Sequence, residues 1–233
     1  MPLIQTSKEG DTLVVTFARP PANAFNLALI EELAACFEDA AAVPPPGGLV
    51  VTGDGAVFSG GVDFKEAPRY TAEEKRRMVQ GINRMITALY GIPRATVAAV
   101  NGHAIGGGFV VMLACDARLG VPSNAKLALS EVAAGIPYPA CPMEIVKAEL
   151  APDIRRRLVL SGGPISPAEA HILGIVDELV AADRLVSRAV DLARARSALP
   201  AYARVKEQLK RDTLQRMRAI VADAKDPMLD HWV

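Results

Sequence analysis

The stretch ATVAAVNGHAIGGGFVVMLACDARL, residues 95–119, decides the fold. It begins with an apolar, largely β-branched run at Thr96–Val100, which predicts a buried strand, and Asn101-Gly102 then predicts a turn. Three consecutive glycines, Gly106 to Gly108, lead directly into the apolar run FVVMLAC, which predicts a buried helix. Glycine costs a helix up to about 1 kcal/mol relative to alanine. Bare backbone must therefore be needed at this helix start, either for close packing or for presenting N–H groups to an anionic oxygen.

The composition is typical of a soluble globular protein. Of the 233 residues, 51% are hydrophobic, and 26 basic residues balance 26 acidic ones. The length suffices for one large core or two small ones, and the balanced charge gives no indication of a nucleic acid or a membrane surface as a partner. The three cysteines lie on apolar segments without a Cys-x-x-Cys or Cys/His cluster. We therefore expect free buried thiols, no metal and a reducing compartment.

The location follows from two further features of the sequence. The first residues, MPLIQTSKEGDTL, lack the basic and then apolar pattern of a secretory signal, and no apolar run reaches membrane-spanning length. A cytoplasmic protein is expected on this basis.

The rest of the chain predicts alternating strands and helices. Predicted strands lie at Leu3–Thr6, Thr12–Phe17, Leu49–Thr52, Ala117–Val121, Lys126–Leu129 and Ile175–Val180. Predicted helices run from an Asn26 cap to Ala41, from a Thr71/Glu74 capping box to Tyr90, and over Pro142–Ala148, Pro152–Leu160, Ser166–Leu173, Asp183–Arg196 and Ala201–Val221. This rhythm predicts an α/β core over residues 1–182 and a helical C-terminal subdomain over residues 183–233.

Two further segments flank the glycine triplet. Val57–Glu66 reads VFSGGVDFKE, and Ala125–Pro137 reads AKLALSEVAAGIP. Together the three segments resemble, in order and spacing, the patterns F-S-A-G-x-D-[LIF]-K-E, A-x-x-G-x-A-x-G-G-G and P-E-x-x-x-G-[LI]-x-P of the crotonase (enoyl-CoA hydratase/isomerase) superfamily. The resemblance spans about residues 10–185. It implies a ββα superhelix with C-terminal helices that mediate assembly into a homotrimer or a dimer of trimers.

The resemblance also implies an oxyanion pocket for a thioester oxygen, made by the N–H groups of Val62 and Gly107. Each such donor contributes about 2.7–4 kcal/mol to transition-state stabilisation. From the residues alone, the glycines that precede Val62 allow tight backbone turns. The alternative interpretation is two unrelated glycine turns.

Glu131 is the candidate acid/base. It follows the apolar run KLALS, where partial desolvation raises the pKa of a carboxyl group and suits it for proton transfer. The local sequence also fits a helix cap or a surface glutamate. The position matches the glutamate of the third family pattern, with Ser130 in place of proline.

A missing carboxylate guides the choice of reaction. Crotonases that add water carry a second glutamate two residues after the glycine triplet, and this chain has Val110 there. One carboxylate suffices to move a proton between two carbons of one substrate. The resemblance therefore favours isomerisation of 3-enoyl-CoA to trans-2-enoyl-CoA. The alternatives are a 2-enoyl-CoA hydratase, for which Glu144 is a possible second acid, and a non-catalytic acyl-CoA-binding protein.

The resemblance implies a coenzyme A thioester as substrate and no permanently bound cofactor. Further residues expected to bind the substrate or its coenzyme A are Ala22, Asn23, Ala24, Ser59, Gly60, Gly61, Asp63, Lys65, Gly106, Gly108 and Val110. Lys65 and Arg69 fit either contacts with the phosphates of coenzyme A or an ordinary solvated face. Resembling proteins usually continue with another helix beyond the position of Val233, so the C-terminal subdomain is expected to be either naturally short or truncated.

Overall fold

The structure is a computed structural model that describes residues 2–232. Met1, the first residue of the predicted core, and Val233, the last residue of the predicted C-terminal subdomain, lie outside that range. The strands are β1 (Ile4–Glu9), β2 (Thr12–Phe17), β3 (Leu49–Gly53), β4 (Val57–Ser59), β5 (Thr96–Val100), β6 (His103–Ile105), β7 (Ala117–Gly120), β8 (Leu127–Ala128) and β9 (Glu178–Leu179). The helices are α1 (Leu27–Ala42), α2 (Ala72–Gly91), α3 (Gly107–Ala114), α4 (Glu131–Ala134), α5 (Ala140–Glu149), α6 (Pro152–Ser161), α7 (Pro167–Ile172), α8 (Leu185–Ser197) and α9 (Tyr202–Asp223). Short 3₁₀ turns lie at Ala67–Arg69, Ala182–Arg184 and Leu229–His231.

The strands form two sheets. The large sheet has the order β1-β2-β3-β5-β7-β9, and the small sheet has the order β4-β6-β8. Only the β1–β2 hairpin is antiparallel among the described pairs. From β3 onward the chain repeats one strand in the large sheet, one in the small sheet and then a helix, as β3-β4-α2, β5-β6-α3 and β7-β8-α4. The predicted ββα superhelix is confirmed.

Local sequence explains where the long helices begin. The Asn26 side chain accepts a hydrogen bond of 2.9 Å from the Leu29 amide at the start of α1. At the start of α2, Thr71 and Glu74 form the predicted capping box, with each side chain bonded to the other residue's amide. Such caps satisfy backbone N–H groups that have no partner inside the helix. Both predicted caps are confirmed.

The large sheet is covered on both faces, which explains why β3 and β5 are buried along their whole length. Because side chains alternate along a strand, Val51 packs into the main core with α1 and α2, whereas Val50 and Val97 face the opposite layer. That second layer is completed by Ala189 and Ala193 of α8. The C-terminal helical portion thus includes a helix that packs directly on the sheet, and a division into two units at residues 182 and 183 stays a prediction.

The small sheet is where the structure differs most from the predicted elements. No strand was predicted between residues 53 and 63, but this segment contains β4, and β6 and α4 were not predicted either. The predicted strands at Lys126–Leu129 and Ile175–Val180 shorten to the two-residue strands β8 and β9. Strands of two or three residues carry almost no periodic signal. They form here because β6 pairs with β4 and β8, which lie far away in sequence.

Within residues 2–232, no helix combines the length and the apolar character needed to cross a membrane. The three cysteines, Cys36, Cys115 and Cys141, are free thiols. Cys115 and Cys141 are buried as predicted, whereas Cys36 is only half-buried.

Candidate active site

A cavity of about 550 Å³, its open mouth included, lies among the end of β4, α2, the start of α3 and α4. Its walls are mainly apolar. Among the described residues that line it, Glu131 is the only one with a titratable side chain. The lining residues include Phe25, Gly60, Gly61, Val62, Phe64, Ile82, Met85, Ile86, Gly106, Gly107, Val110, Ser130, Glu131, Ala134, Ile136, Pro139, Pro142 and Trp232.

The backbone at Val62 is oriented by pairing with Phe25. The Phe25 amide donates to the Gly61 carbonyl at 2.7 Å, and the Asp63 amide donates to the Phe25 carbonyl at 3.0 Å. Successive amides of an extended chain point in opposite directions, so the Val62 N–H points away from Phe25. Within residues 2–232 it has no hydrogen-bond acceptor. It is a free backbone donor at the cavity wall.

Polar side chains hold this loop in place from behind. Asn23, buried and with a positive φ of 48°, donates from its side chain to the carbonyls of Asp54 and Val57 at 2.9 and 2.7 Å. The Ser59 hydroxyl donates to the Asn23 carbonyl at 2.8 Å and accepts from the Gly61 amide at 3.1 Å. The loop that carries Val62 is therefore fixed by interior hydrogen bonds.

The start of α3 supplies the second free donor. Gly106 has φ 52° and ψ −120°, a conformation that side-chain-bearing residues rarely adopt. Gly107 follows as the first residue of α3, so its N–H has no partner inside the helix. No acceptor for this N–H exists elsewhere in residues 2–232. The positive end of the helix dipole lies at the same place.

The two donors lie side by side because Gly61 packs against the start of α3. A Cβ atom on Gly61 would lie only 2.5 Å from the Ile105 carbonyl and 3.0 Å from the Gly107 nitrogen. A side chain at this position would therefore separate the Val62 loop from the glycine triplet. Val62 and Gly107 both line the cavity, and two unpaired N–H groups at one cavity wall are suited to bind an oxygen that gains negative charge during a reaction.

Glu131 lies beside Gly106 of the triplet. It is the first residue of α4, immediately after β8 and Leu129-Ser130. Its side chain is only 7% exposed. Burial raises the pKa of this carboxyl group above its ordinary value, although the nearby Tyr138 hydroxyl and the backbone of Glu131 itself act in the opposite direction. A carboxylate with a raised pKa, placed at the edge of an apolar cavity, is suited to take up and return a proton.

Val110 and Glu144 occupy very different environments. Val110 lines the cavity with an apolar side chain that is 1% exposed. The Glu144 carboxylate forms ion pairs with Lys147 at 3.2 Å and Arg216 at 2.6 Å, and it is not among the residues that line the cavity. The structure therefore brings neither Glu144 nor another described carboxylate beside Glu131 in the cavity.

The predicted site residues divide into two groups. Those that line the cavity are Gly60, Gly61, Val62, Gly106, Gly107, Val110 and Glu131. The others do not line it; they are Ala22, Asn23, Ala24, Ser59, Asp63, Lys65 and Gly108.

Most of the second group supports the first structurally. The carbonyls of Ala22 and Ala24 accept hydrogen bonds from the Gly60 amide and from Arg19, and Asp63 forms an ion pair of 2.7 Å with Arg19. A Cβ on Gly108 would lie 2.5 Å from the Ser59 carbonyl, so this glycine permits close packing of α3 against β4. Lys65 is exposed. Contact of these residues with coenzyme A stays a prediction.

The residues that the sequence reasoning did not identify include several aromatic residues near the cavity. Phe25, Phe64 and Trp232 line it, and the Tyr138 hydroxyl lies close to the Glu131 carboxylate. The available signal for Tyr138 was a hydroxyl-bearing aromatic residue between two prolines, seven positions after the candidate base. Phe25 and Trp232 carry no comparable signal, because their contribution arises from chain folding over long distances.

Comparison with known proteins gives one consistent family. The sequence model of a family described as enoyl-CoA hydratase/isomerase matches residues 7–231. The chain is 28% identical over 188 residues to the probable enoyl-CoA hydratase EchA17 of Mycobacterium tuberculosis, with 81% of this chain and 72% of that protein covered. It is 32% identical over 175 residues to enoyl-CoA delta isomerase 3 of Arabidopsis thaliana, with coverage of 73% and 74%.

The fold is also that of a solved structure. The chain matches human mitochondrial delta3-delta2-enoyl-CoA isomerase with a TM-score of 0.90 at 24% identity, and the match covers 99% of this chain and 92% of the human one. At this level of identity the likeness concerns the fold alone.

Proposed function

The chain belongs to the enoyl-CoA hydratase/isomerase family, and on that premise we propose that it converts 3-enoyl-CoA to trans-2-enoyl-CoA. The family acts on coenzyme A thioesters. The observation that carries the proposal is that Glu131 is the only titratable side chain among the described residues lining the cavity. Moving a double bond requires one group that takes a proton from one carbon and returns it to another, whereas adding water requires that the water be activated as well.

In the proposed reaction, every proton and electron pair moves between the substrate and residues of this chain. The Glu131 carboxylate removes a proton from C2 of the substrate, and the electron pair of the C–H bond moves into the thioester, whose oxygen becomes negatively charged. The N–H groups of Val62 and Gly107 donate hydrogen bonds to that oxygen. Protonated Glu131 then gives the proton to C4, the double bond moves from C3–C4 to C2–C3, and the carboxylate is regenerated.

The cavity wall favours this reaction over hydration. Ile82, Met85 and Ile86 of α2 line the cavity together with Val110 of α3. These apolar side chains give an acyl chain a surface to pack on, and they offer a reactive water molecule no hydrogen bond. Hydration is the alternative function, and the name of the mycobacterial relative makes it a necessary comparison.

Substrate assays are expected to separate these functions. We expect the unmodified protein to convert 3-hexenoyl-CoA to trans-2-hexenoyl-CoA with a kcat on the order of 1–10³ s⁻¹. We expect hydration of crotonyl-CoA to be at least about a hundredfold slower, because one of the two groups that assist water addition is missing. Both reactions are followed by chromatography of the thioester products.

The other results have clear meanings. Hydration of crotonyl-CoA at an ordinary enzymatic rate would replace the isomerase proposal with the hydratase alternative. Tight binding of both thioesters without conversion of either would indicate a non-catalytic acyl-CoA-binding protein.

We also propose that the chain assembles as a homotrimer or a dimer of trimers. On α9, Val205 and Leu209 lie one helical turn apart and are 56% and 82% exposed. Neighbouring Leu199, between α8 and α9, is 56% exposed. Adjacent exposed apolar side chains of this kind support an interaction between subunits.

Sedimentation velocity at micromolar concentration tests the assembly. We expect a mass of three or six times the 24.7 kDa of one chain, and we expect Leu209→Asp to shift the protein toward smaller species. Val43→Asp is the matched control, because Val43 is also highly exposed but lies at the end of α1. A monomeric unmodified protein would contradict the proposal.

A further inference from the structure

Tyr138 is a buried tyrosine beside the candidate base. It lies between Pro137 and Pro139, seven residues after Glu131, and only 7% of it is exposed. Within the described chain its hydroxyl oxygen is buried and has no hydrogen-bond partner of good geometry, and the same is true of the Glu131 Oε2 atom. Buried polar atoms are nearly always hydrogen-bonded. Two unsatisfied oxygen atoms on neighbouring side chains therefore require an explanation.

The two oxygens of the Glu131 carboxylate face different surroundings. Oε1 lies near the glycine triplet, since a Cβ atom on Gly106 would be 3.2 Å from it. Oε2 is the buried oxygen without a partner. The phenol of Tyr138 is close enough to the carboxylate that each group shifts the pKa of the other: the Tyr138 hydroxyl lowers the pKa of Glu131, and Glu131 adds to the effect of burial in raising the pKa of Tyr138.

We propose that Tyr138 is a positioning residue whose O–H donates a hydrogen bond to Oε2 of Glu131 during the reaction, so that Oε1 is held toward the substrate. A phenol is suited to this role because it offers one donor on a rigid, well-packed ring. In the free protein neither atom makes a hydrogen bond within the described chain, and hydrogen bonds at active sites commonly form or tighten only when the substrate binds.

This arrangement has a consequence for the reaction. The same carboxylate oxygen must reach C2 to remove the proton and C4 to return it. A carboxylate fixed through Oε2 presents Oε1 as the single proton-transfer atom, whereas an unfixed one rotates and spends less time in the productive geometry. The hydroxyl also stabilises the carboxylate relative to the protonated acid, which keeps the base ready at lower pH.

Other charged groups do not account for stabilisation of the Glu131 carboxylate. Among residues 2–232, Tyr138 is the only titratable side chain that shifts the pKa of Glu131. The elements near α4 and Tyr138 do carry charged side chains, but these lie at the surface or in ion pairs and hydrogen bonds elsewhere; they are Glu144, Lys147, Glu149, Asp153, Arg155, Arg156, Arg157, Arg216 and Asp226.

The test is Tyr138→Phe, measured by exchange of the C2 protons of butyryl-CoA with deuterium from D₂O. The inference rests on the proposed function, but this exchange needs only the base and the oxyanion pocket and therefore reports on Glu131 whichever reaction the enzyme completes. We expect Tyr138→Phe to slow exchange about tenfold to a hundredfold. We also expect the pH below which the exchange rate falls to rise by about one unit, because the carboxylate loses a stabilising hydrogen bond.

Tyr90→Phe is the matched control. Tyr90 is also buried and its hydroxyl donates to Glu149 at 2.8 Å, but it is not part of the cavity. We expect this variant to keep the exchange rate and pH profile of the unmodified protein. A Tyr138→Phe variant whose rate falls while its pH profile stays unchanged would show a merely structural role and overturn the inference.

A double-mutant cycle provides a second, independent measurement. In a Glu131→Gln background, Tyr138→Phe is expected to cause less than about a twofold further loss, because the hydroxyl acts through the carboxylate. Independent, multiplicative losses would contradict the inference even if both single variants were impaired. Absence of isomerase activity in the unmodified protein, together with C2 exchange that depends on Tyr138, would overturn the proposed reaction and leave this inference standing.

Discussion

Replacing Glu131 with glutamine is expected to lower kcat for 3-enoyl-CoA isomerisation by about 10²–10⁴-fold, with KM changed less than about threefold. Glutamine keeps the size and shape of the side chain but cannot accept the substrate proton. No other described residue lining the cavity has a titratable side chain that would take its place. The measurement is steady-state kinetics with 3-hexenoyl-CoA, together with calorimetry of acyl-CoA binding. An unchanged binding affinity would show that the loss concerns the chemical step.

Glu144→Gln is the control for this prediction. Glu144 is also a glutamate and allows the same substitution, but its carboxylate forms ion pairs with Lys147 and Arg216 outside the cavity. We expect this variant to keep activity within about twofold, because Glu144 lies outside the cavity. Its partners Lys147 and Arg216 are more than half exposed, so the ion pairs contribute little to stability. Activity of Glu131→Gln above about a tenth of the unmodified rate would contradict the assignment of Glu131 as the base. A large loss in Glu144→Gln would reopen the search for a second acid.

The sequence predicted the parts of the fold that depend on local interactions. The Asn26 cap and the Thr71/Glu74 capping box are formed within three residues of the chain, and both were predicted correctly. The buried strand Thr96–Val100 was predicted with its bounds because its apolar run is continuous and ends at Asn101-Gly102. The need for bare backbone at the glycine triplet was also predicted, and Gly106 has the backbone conformation that explains it.

Other features depend on residues far apart in sequence and could not be predicted in this way. The cluster around Asp116 is an example. This buried carboxylate forms ion pairs of 2.6 Å with Lys206 and Lys210, and so connects the end of α3 to α9. Burial alone would raise the pKa of Asp116, but the two ammonium groups lower it to about 2. The local sequence around Asp116 predicts only a helix end that bonds to nearby backbone, since nothing near it indicates which distant lysines it meets.

The candidate site also combines features that could be predicted from the sequence with features that depend on residues far apart in the chain. Val62, Gly107 and Glu131 were placed together because the resemblance linked three separated segments, and the structure places all three at one cavity. The proximity of Tyr138 to Glu131 follows from the path of the chain through Gly135, whose φ of 73° ends α4 and turns the backbone. The part of the cavity wall that α2 forms depends on how helices and strands pack together. The sequence predicts each of these elements separately but not the packing between them.

Removing the Gly107 N–H with Gly107→Pro is expected to lower kcat by about 10²–10³-fold, because the developing oxyanion loses one of two backbone donors, worth about 2.7–4 kcal/mol. Proline is otherwise tolerated here. Gly107 is the first residue of α3, where proline fits the helix and no intrahelical hydrogen bond is lost. Gly106 before it has no Cβ to collide with the proline ring. Circular dichroism and steady-state kinetics measure folding and activity separately.

Gly107→Ala distinguishes the effect of losing the N–H donor from the effect of adding a side chain at this position. An alanine Cβ at this position would lie 3.4 Å from the Phe25 ring, an ordinary contact, and alanine keeps the N–H. We expect Gly107→Ala to lose less than about tenfold in kcat, so that the difference between the two variants reports the missing hydrogen bond. If Gly107→Pro folds and keeps more than about a tenth of the unmodified activity, the Gly107 N–H is not an oxyanion donor. If both variants lose activity equally, space at the cavity wall matters and the N–H does not, because the alanine variant still carries the donor that the proline variant lacks.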